Sequence, residues 1–246
     1  MRDQVLYRPL ETKLDTILVS ILMSTSHPAC IGIIMDGNRR WAKKRGLPTL
    51  EGHRRGADRL IDCTRWAKAR GIGHLAVYAF STENWNRDPE EVSYLMDLLR
   101  EAASRSLKDL AKEGVRLRFV GTRDRFAPDI VETLERVERE SEKNEFTLWV
   151  CLSYGGRAEI AAAAQAAAHA GESVTEESLR AHLWSAQMPD PELIIRTGGQ
   201  KRLSNFLTWQ SVYSELFFSD TLWPDFSEKE FDRHLAEFGA RKRNFG

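Results

Sequence analysis

The amino-acid sequence predicts an α/β fold, a mostly parallel central sheet covered by helices. Two observations carry that expectation. Short apolar runs alternate with longer stretches of helical periodicity, which is the pattern of a sheet assembled from βα units. The chain has 246 residues, 42% of them hydrophobic, enough to fill one sizeable core. A third observation says where the chemistry lies: the segments that follow the apolar runs are rich in Gly, Asn and Arg.

The first run is Cys30 to Met35, continuously apolar as a strand buried on both faces would be. His74 to Phe80 and Val115 to Val120 are the next two. Between them Val92, Leu95, Met96, Leu99, Ala103, Leu107 and Leu110 recur at helical spacing, and Pro89 stands where a first helical turn tolerates it. Phe146 to Leu152 is the fourth strand, and Ala158 to Ala170 a helix whose alanine bias reflects helix propensity. Leu193 to Ile195 and Leu216 to Phe218 complete the set. No repeat, Gly/Ser linker or composition break divides the chain. One domain is therefore expected over 27–246, with 1–26 an N-terminal extension, either disordered or a misplaced start.

Thirty-six Lys and Arg balance 36 Asp and Glu, so bulk electrostatic attraction to nucleic acid or to an anionic membrane is not expected, and any anion site must be local. Cys30, Cys63 and Cys151 are far apart with no C-x-x-C pair, which fits buried thiols in a reducing cytoplasm rather than a disulfide or zinc scaffold. The run Thr16 to Met23 is too short to span a bilayer, and no small-residue cleavage site follows it.

Ligands of open α/β sheets collect at the carboxyl ends of the strands. Asp36-Gly37-Asn38-Arg39-Arg40-Trp41 follows the first run here, and Ser81-Thr82-Glu83-Asn84-Trp85-Asn86-Arg87 the second. Tyr154-Gly155-Gly156-Arg157 follows the fourth, and Arg196 to Asn205, with Gly198-Gly199, Arg202, Leu203 and Ser204, the fifth. Glycines let a ligand approach the backbone, and arginines pair bidentately with phosphate oxygens. Singly, each has a bland alternative: Arg39 and Arg40 a solvated turn, Trp85 a core plug, Gly198-Gly199 an ordinary turn. Together they point to a phosphate site, because a fold gains nothing by gathering arginines at successive strand ends unless an anion neutralises them. A carboxylate beside a diphosphate is repulsive unless a divalent cation lies between them, and Mg²⁺ uses one or two carboxylates plus substrate phosphates. Asp36 is then a metal ligand, and Glu215 in "VYSELFF" the best second carboxylate.

The stretches "MDGNRRWA", "GHRRGA", "YAFSTENWNR", "YGGR", "IRTGGQKRLSNFLTWQ" and "ELFFSDTLWPDF", in this order and spacing, resemble the cis-prenyltransferases of the bacterial undecaprenyl diphosphate synthase kind. The likeness runs from about Ile31 to the C-terminus. It implies a homodimer with a hydrophobic tunnel through each subunit and a Mg²⁺-dependent condensation of an allylic diphosphate, farnesyl diphosphate for example, with isopentenyl diphosphate. The product implied is a Z-polyprenyl diphosphate, a lipid-carrier precursor for cell-wall glycan synthesis, delivered to the membrane by a cytoplasmic protein at its surface. By position, the resemblance makes Asp36 the essential acid, has Gly37, Asn38, Arg39 and Arg40 cradle the allylic diphosphate, and sets Trp41 and His53 beside it. It places Ser81, Thr82, Glu83, Asn84, Trp85 and Arg87 at the junction of the two substrates. Arg196, Arg202, Leu203 and Ser204 belong to the isopentenyl diphosphate site, and Glu215 completes the metal site. The family associates Asn84 with proton removal; an amide is a very poor base, so Asn84 is expected to orient substrate while a diphosphate oxygen takes the proton. Phe146 is expected at the far end of the tunnel, where its bulk would stop elongation early.

Three positions depart from the family pattern: Thr49 and Gln200 stand where an Arg and an acid are usual, and the tail reads Asn244-Phe245-Gly246. Arg45, Arg54 and Arg243 are the candidate substitutes for the missing cation. A non-catalytic partner subunit of the same fold would lack the acid, which Asp36 supplies. A nucleotide-binding module would need a Walker or G-x-G-x-x-G loop, and a trans-type prenyltransferase D-D-x-x-D motifs on an all-helical fold; neither pattern is present.

Overall fold

The computed structural model describes residues 27–241. The expected extension 1–26, the tail Asn244-Phe245-Gly246 and the candidate Arg243 lie outside the described residues. Six strands, β1 (Cys30–Ile34), β2 (His74–Ser81), β3 (Val115–Val120), β4 (Phe146–Tyr154), β5 (Leu193–Arg196) and β6 (Glu215–Phe218), form one sheet in the order β3-β4-β2-β1-β5-β6. Every pairing is parallel, so the sheet expected to be mostly parallel is parallel throughout. Parallel strands need crossovers that cover both faces, and continuous apolar sequence follows. All nine residues of β4 are buried accordingly.

The helices are α1 (Asn38–Lys44), α2 (Thr49–Ala69), α3 (Pro89–Ser104), α4 (Ser106–Lys112), α5 (Pro128–Ser141), α6 (Gly156–His169), α7 (Glu176–His182) and α8 (Glu228–Ala240), with a 3₁₀ turn at Thr82–Asn86. Asp88 starts α3 by accepting the Glu90 N–H, with Pro89 in the first turn. The helical pattern that runs on to Leu110 is broken at Arg105, whose φ of −122° and ψ of −77° separate α3 from α4. The Ser104 hydroxyl donates to the Glu101 carbonyl next to the break, a local bond that competes with helix continuation.

One core packs Ile31, Ile33, Leu75, Val77, Leu117, Leu148 and Val150 against the helices on one face, and a second packs Ala76, Trp149, Cys151 and Ile194 on the other. All three cysteines are buried and free, and burial raises their thiols well above the usual range, as expected of inert core residues. From β1 the chain steps to β2, beyond it to β3 and back to β4, then crosses to β5 on the opposite side of β1. The order thus reverses about β1, and the crevice at such a switch point is where open α/β sheets bind ligands.

Candidate active site

Asp36 lies at that switch point, just past Ile34, which is in register with Tyr78 of β2 and Arg196 of β5. The Asp36 main-chain carbonyl is fixed by the Thr197 hydroxyl at 2.8 Å and the Trp223 N–H at 3.0 Å. Gly37 follows with φ of 121°, a conformation L-residues avoid, and a Cβ there would meet Leu222 at 2.9 Å. This turn swings the chain into α1 and leaves the Asp36 side chain facing the cleft.

Both oxygens of Asp36 are held by arginines. Arg40 Nη2 donates to Oδ1 at 3.0 Å and Arg196 Nη2 to Oδ2 at 2.9 Å. Arg196 is 4% exposed. It also donates to Ser204 Oγ at 2.7 Å and to the Arg202 carbonyl, so its fork is locked in place. Arg202 donates to Ser204 Oγ at 3.3 Å and to Gln200 Oε1 at 2.7 Å. The departure at Gln200 therefore keeps an acceptor for Arg202 while giving up a charge.

Two clefts meet here. The first, about 840 Å³, is lined by Asp36, Gly37, Asn38, Arg39, Arg40, Lys43, Thr49, His53 and Arg87 among others. The second, about 680 Å³, shares Asp36 and is walled by Ser81, Glu83, Asn84, Arg87, Arg196, Arg202 and Ser204. A third cavity of about 260 Å³ runs from the same place between α2 and α3, where Leu60, Ile61, Leu95, Met96, Leu99, Val150 and Leu152 make its wall apolar. Met35, Asn38 and His53 line all three. The buried Asn38 Oδ1 has no hydrogen-bond partner, an open acceptor at this confluence.

Glu91, in the first turn of α3, gathers the cations of the shared wall. Its Oε1 accepts from His53 Nε2 at 3.1 Å and from Arg87 Nη1 at 3.0 Å, and Arg39 approaches Oε2 at 3.9 Å. Burial lowers the His53 pKa below the ordinary 6.5 and outweighs the opposing pull of Glu91. Burial raises the Glu83 carboxyl, but its own backbone N–H and the Ser81, Asn205 and Thr82 side chains outweigh this and hold it below the usual range. Asn84 Oδ1 accepts the Ser81 N–H at 3.0 Å, and the residue lines the second cleft.

Several expected site residues are placed elsewhere. Trp41 is buried against Ala42 and Leu222, donates to Asp225 Oδ1 at 2.7 Å and lies 4.3 Å beneath Arg45, so it braces α1 from behind. Trp85 packs edge-on against Phe80, donates to Ser153 Oγ at 2.9 Å and is covered by Arg125, which makes it the core plug rather than a cleft wall. Leu203 packs with the second core, and Thr82 borders the Gly155 turn instead of the cleft. Phe146 lies in the main core and does not line the apolar cavity.

Within the chain, Glu215, the second carboxylate expected at the metal, lies apart from Asp36. It is in register with Leu193 at the amino end of β5, whereas Asp36 lies beyond the carboxyl end of β1. The physical reason is strand polarity: Glu215 opens β6 instead of following it, and it accepts Arg241 Nη1 at 2.5 Å. Among the described residues no group of three or more His, Cys, Asp or Glu side chains could hold a metal ion. Asp36, a hard oxygen donor beside cation-walled clefts, has the donor chemistry to supply one ligand of a divalent cation.

Residues 34–246 match the family model described as "Putative undecaprenyl diphosphate synthase". The chain belongs to this prenyltransferase family. Curated relatives include the isoprenyl transferase of Aquifex pyrophilus, 47% identical over 91% of this chain and 98% of that one. The isoprenyl transferase of Thermotoga maritima is 44% identical over 89% and 97%. Among solved structures, lavandulyl diphosphate synthase from Lavandula x intermedia in complex with dimethylallyl diphosphate superposes with a TM-score of 0.85 at 31% identity, covering 89% of this chain and 98% of that one. A "probable undecaprenyl diphosphate synthase" from Campylobacter jejuni gives 0.76 at 32% identity, covering 88% and 97%.

Two residues at these clefts carry little signal in the sequence. Glu91 reads as an ordinary acid in a first helical turn, and only its i,i+4 spacing from Arg87 hints at the pairing. Asn205 reads as a loop residue, yet it touches both walls of the second cleft.

Proposed function

We propose that this prenyltransferase condenses farnesyl diphosphate, or another allylic diphosphate, with isopentenyl diphosphate in the presence of Mg²⁺. The product is a Z-polyprenyl diphosphate such as undecaprenyl diphosphate, the lipid-carrier precursor for cell-wall glycan synthesis. The observation that carries this reading is the meeting of two arginine-walled clefts at Asp36, with Met35, Asn38 and His53 common to both and to an apolar cavity. Two diphosphates and one growing hydrocarbon need that arrangement.

The first cleft takes the allylic diphosphate on Gly37, Asn38, Arg39 and Arg40, and the second takes isopentenyl diphosphate on Arg196, Arg202 and Ser204. As the allylic C–O bond breaks, charge grows on the leaving diphosphate, and fixed guanidinium groups stabilise it more than the ground state. Asp36 would hold the magnesium ion, which when bound would supply Lewis-acid stabilisation of the same charge. Arg40 and Arg196, paired with Asp36 in the structure, are then shared with phosphate. The double bond of isopentenyl diphosphate provides the electron pair of the new C–C bond, and the adjacent carbon loses a proton. Asn84 has its carbonyl engaged by Ser81 and no basicity to offer. It orients substrate through its N–H groups, and a diphosphate oxygen takes the proton.

The assembly proposed is a homodimer. Val212 and Tyr213 are 70% and 88% exposed, and Leu216 of the edge strand β6 joins them, an apolar patch beside an open sheet edge. Product release is placed at the membrane surface; no helix among the described residues is long and apolar enough to cross a membrane. The test is incubation of the purified protein with farnesyl diphosphate, labelled isopentenyl diphosphate and Mg²⁺, followed by chromatography of the products. Extended chains whose formation stops reversibly with EDTA are expected. A folded protein that incorporates no isopentenyl unit overturns the reading.

A further inference from the structure

The loop that carries Arg202 and Ser204 is held in unfavourable backbone geometry. Ser204, Asn205 and Leu207 have φ of 51°, 68° and 45°. L-residues reach this region at a cost, and a run of them persists only where contacts from outside over-determine it. Asn is among the residues that tolerate it best, so the conformation at 205 is compatible with its residue.

Asn205 supplies those outside contacts. Its Oδ1 accepts the Arg157 N–H at 2.8 Å, its main-chain carbonyl accepts the Gly156 N–H at 2.8 Å, and its Nδ2 donates to Glu83 Oε1 at 3.1 Å. One side chain thus ties the 202–207 loop to the start of α6 and to the 3₁₀ turn that carries Glu83 and Asn84. The fit is close: a Cβ on Gly155 would sit 2.6 Å from Asn205 Nδ2 and 2.8 Å from Thr82 Oγ1. Glu83, Asn84, Arg202 and Ser204 are opposite walls of the second cleft, and Asn205 lines it too.

We infer that Asn205 is a positioning residue that latches these two walls together and so sets the affinity for the homoallylic diphosphate. The inference rests on the assignment of isopentenyl diphosphate to the second cleft. Without the latch the strained loop relaxes, Ser204 moves off the Arg196 fork, and the arginines lose their common aim. The first cleft is lined by Asp36, Gly37, residues of α1 and α2 and Arg87, and the partners of Asn205, Glu83, Gly156 and Arg157, are not among its lining residues, so allylic binding is spared.

Three variants isolate the latch. Asn205→Gly keeps the left-handed backbone free of strain and removes only the side chain. Asn205→Asp keeps the acceptor for Arg157 but sets a carboxylate against Glu83. Asn205→Asp with Glu83→Gln restores a donor–acceptor pair in the reverse sense. Expected are a rise of about tenfold in KM for isopentenyl diphosphate in Asn205→Gly, with KM for farnesyl diphosphate within about twofold of the parent. Asn205→Asp should lose at least as much, and the double variant should recover most of the Asn205→Asp loss. An isopentenyl KM within twofold in Asn205→Gly, equal rises for both substrates, or no recovery in the double variant overturns the inference. Amide hydrogen exchange across 81–87 and 200–207 reads the latch without turnover. Both segments should exchange faster in Asn205→Gly, and unchanged protection there also overturns it. A parent protein that shows the latch by exchange but incorporates no isopentenyl unit overturns the proposed function instead.

Discussion

Asp36 serves two arginines at once, one on each carboxylate oxygen, and this sharing defines what its removal does. In Asp36→Ala the buried Arg196 keeps Ser204 and the Arg202 carbonyl as acceptors, so the fold survives while the ligand for Mg²⁺ and the restraint on both guanidinium groups are lost. Turnover should fall by about 10²–10³ or more, the size seen when one preorganised electrostatic contact is deleted. Steady-state rates beside a circular dichroism melt check this, and retention of more than a few per cent of activity in a folded variant would remove Asp36 from the mechanism. Thr49 is the second test at this scale, since it lines the first cleft where the family pattern has a cation. Arg45 is paired with Asp225 and stacked over Trp41, Arg54 is paired with Glu51, and neither lines the first cleft. Lys43 lines the same cleft with no ion pair among the described residues, but its compact charge cannot bind phosphate bidentately. A new charged contact is worth roughly 1.5–3 kcal/mol, so Thr49→Arg should lower KM for farnesyl diphosphate by about tenfold or more and leave that for isopentenyl diphosphate nearly unchanged. An unchanged or raised KM in a folded variant defeats this prediction and points to Lys43 as the existing substitute.

Strands were the most legible elements because a parallel strand buried on both faces must be apolar throughout. The runs at Cys30, His74, Val115, Phe146, Leu193 and Leu216 all became strands within about two residues at each end. Strand polarity, by contrast, decided which neighbours of a strand reach the clefts, and that was not legible at Glu215. An acid that opens a strand and an acid two residues after one look alike in sequence but lie at opposite ends of the sheet. The direction of a side chain around a turn is equally hidden in the sequence: Trp41 and Trp85 follow strand ends yet brace the clefts from behind. Phe146 shows the same effect along β4: the residues of this strand that line the apolar cavity are Val150 and Leu152, near its carboxyl end. Phe146→Ala should therefore cost the roughly 3–5 kcal/mol of stability of a core Phe truncation, read as a lower Tm, without changing product length. Leu99→Ala, on the α3 wall of the cavity, should shift the product distribution toward longer chains. Chromatography of the products decides, and a longer product from Phe146→Ala with none from Leu99→Ala would put the end of the cavity at β4 instead.

At the scale of the whole molecule the ion pairs are mostly exposed and the neutral net charge leaves little long-range field, so the pH dependence of stability comes from buried groups. Three histidines are buried or half-buried on three different elements, and burial is the main cause that lowers each of their pKa values below the ordinary 6.5. His53 has Glu91 as a partial counterweight. His74 Nδ1 accepts the Trp149 indole N–H at 3.3 Å, a bond that protonation there would break. His234 has neither ring nitrogen hydrogen-bonded; it is stacked against Phe226, and Arg233 adds to the cost of a charge while Glu230 at 3.8 Å only partly offsets it. A histidine whose folded pKa is depressed binds its proton more readily in the unfolded chain, so stability is greatest above about pH 6.5 and is lost as pH falls from there through the folded values. The carboxylates with lowered pKa values, such as Glu113 and Glu142, act in the same sense but only below their ordinary 4.5, so the interval between is governed by histidine. Tm should therefore drop between pH 7.5 and pH 5.5. His234→Phe removes the orphaned ring without removing the aromatic stack, and should make that drop visibly smaller while leaving part of it to His53 and His74. Calorimetric melts of parent and variant at the two pH values measure this directly. A drop of equal size in both would show that His234 accepts a proton in the folded protein as easily as in the unfolded chain, and that its burial carries no linkage.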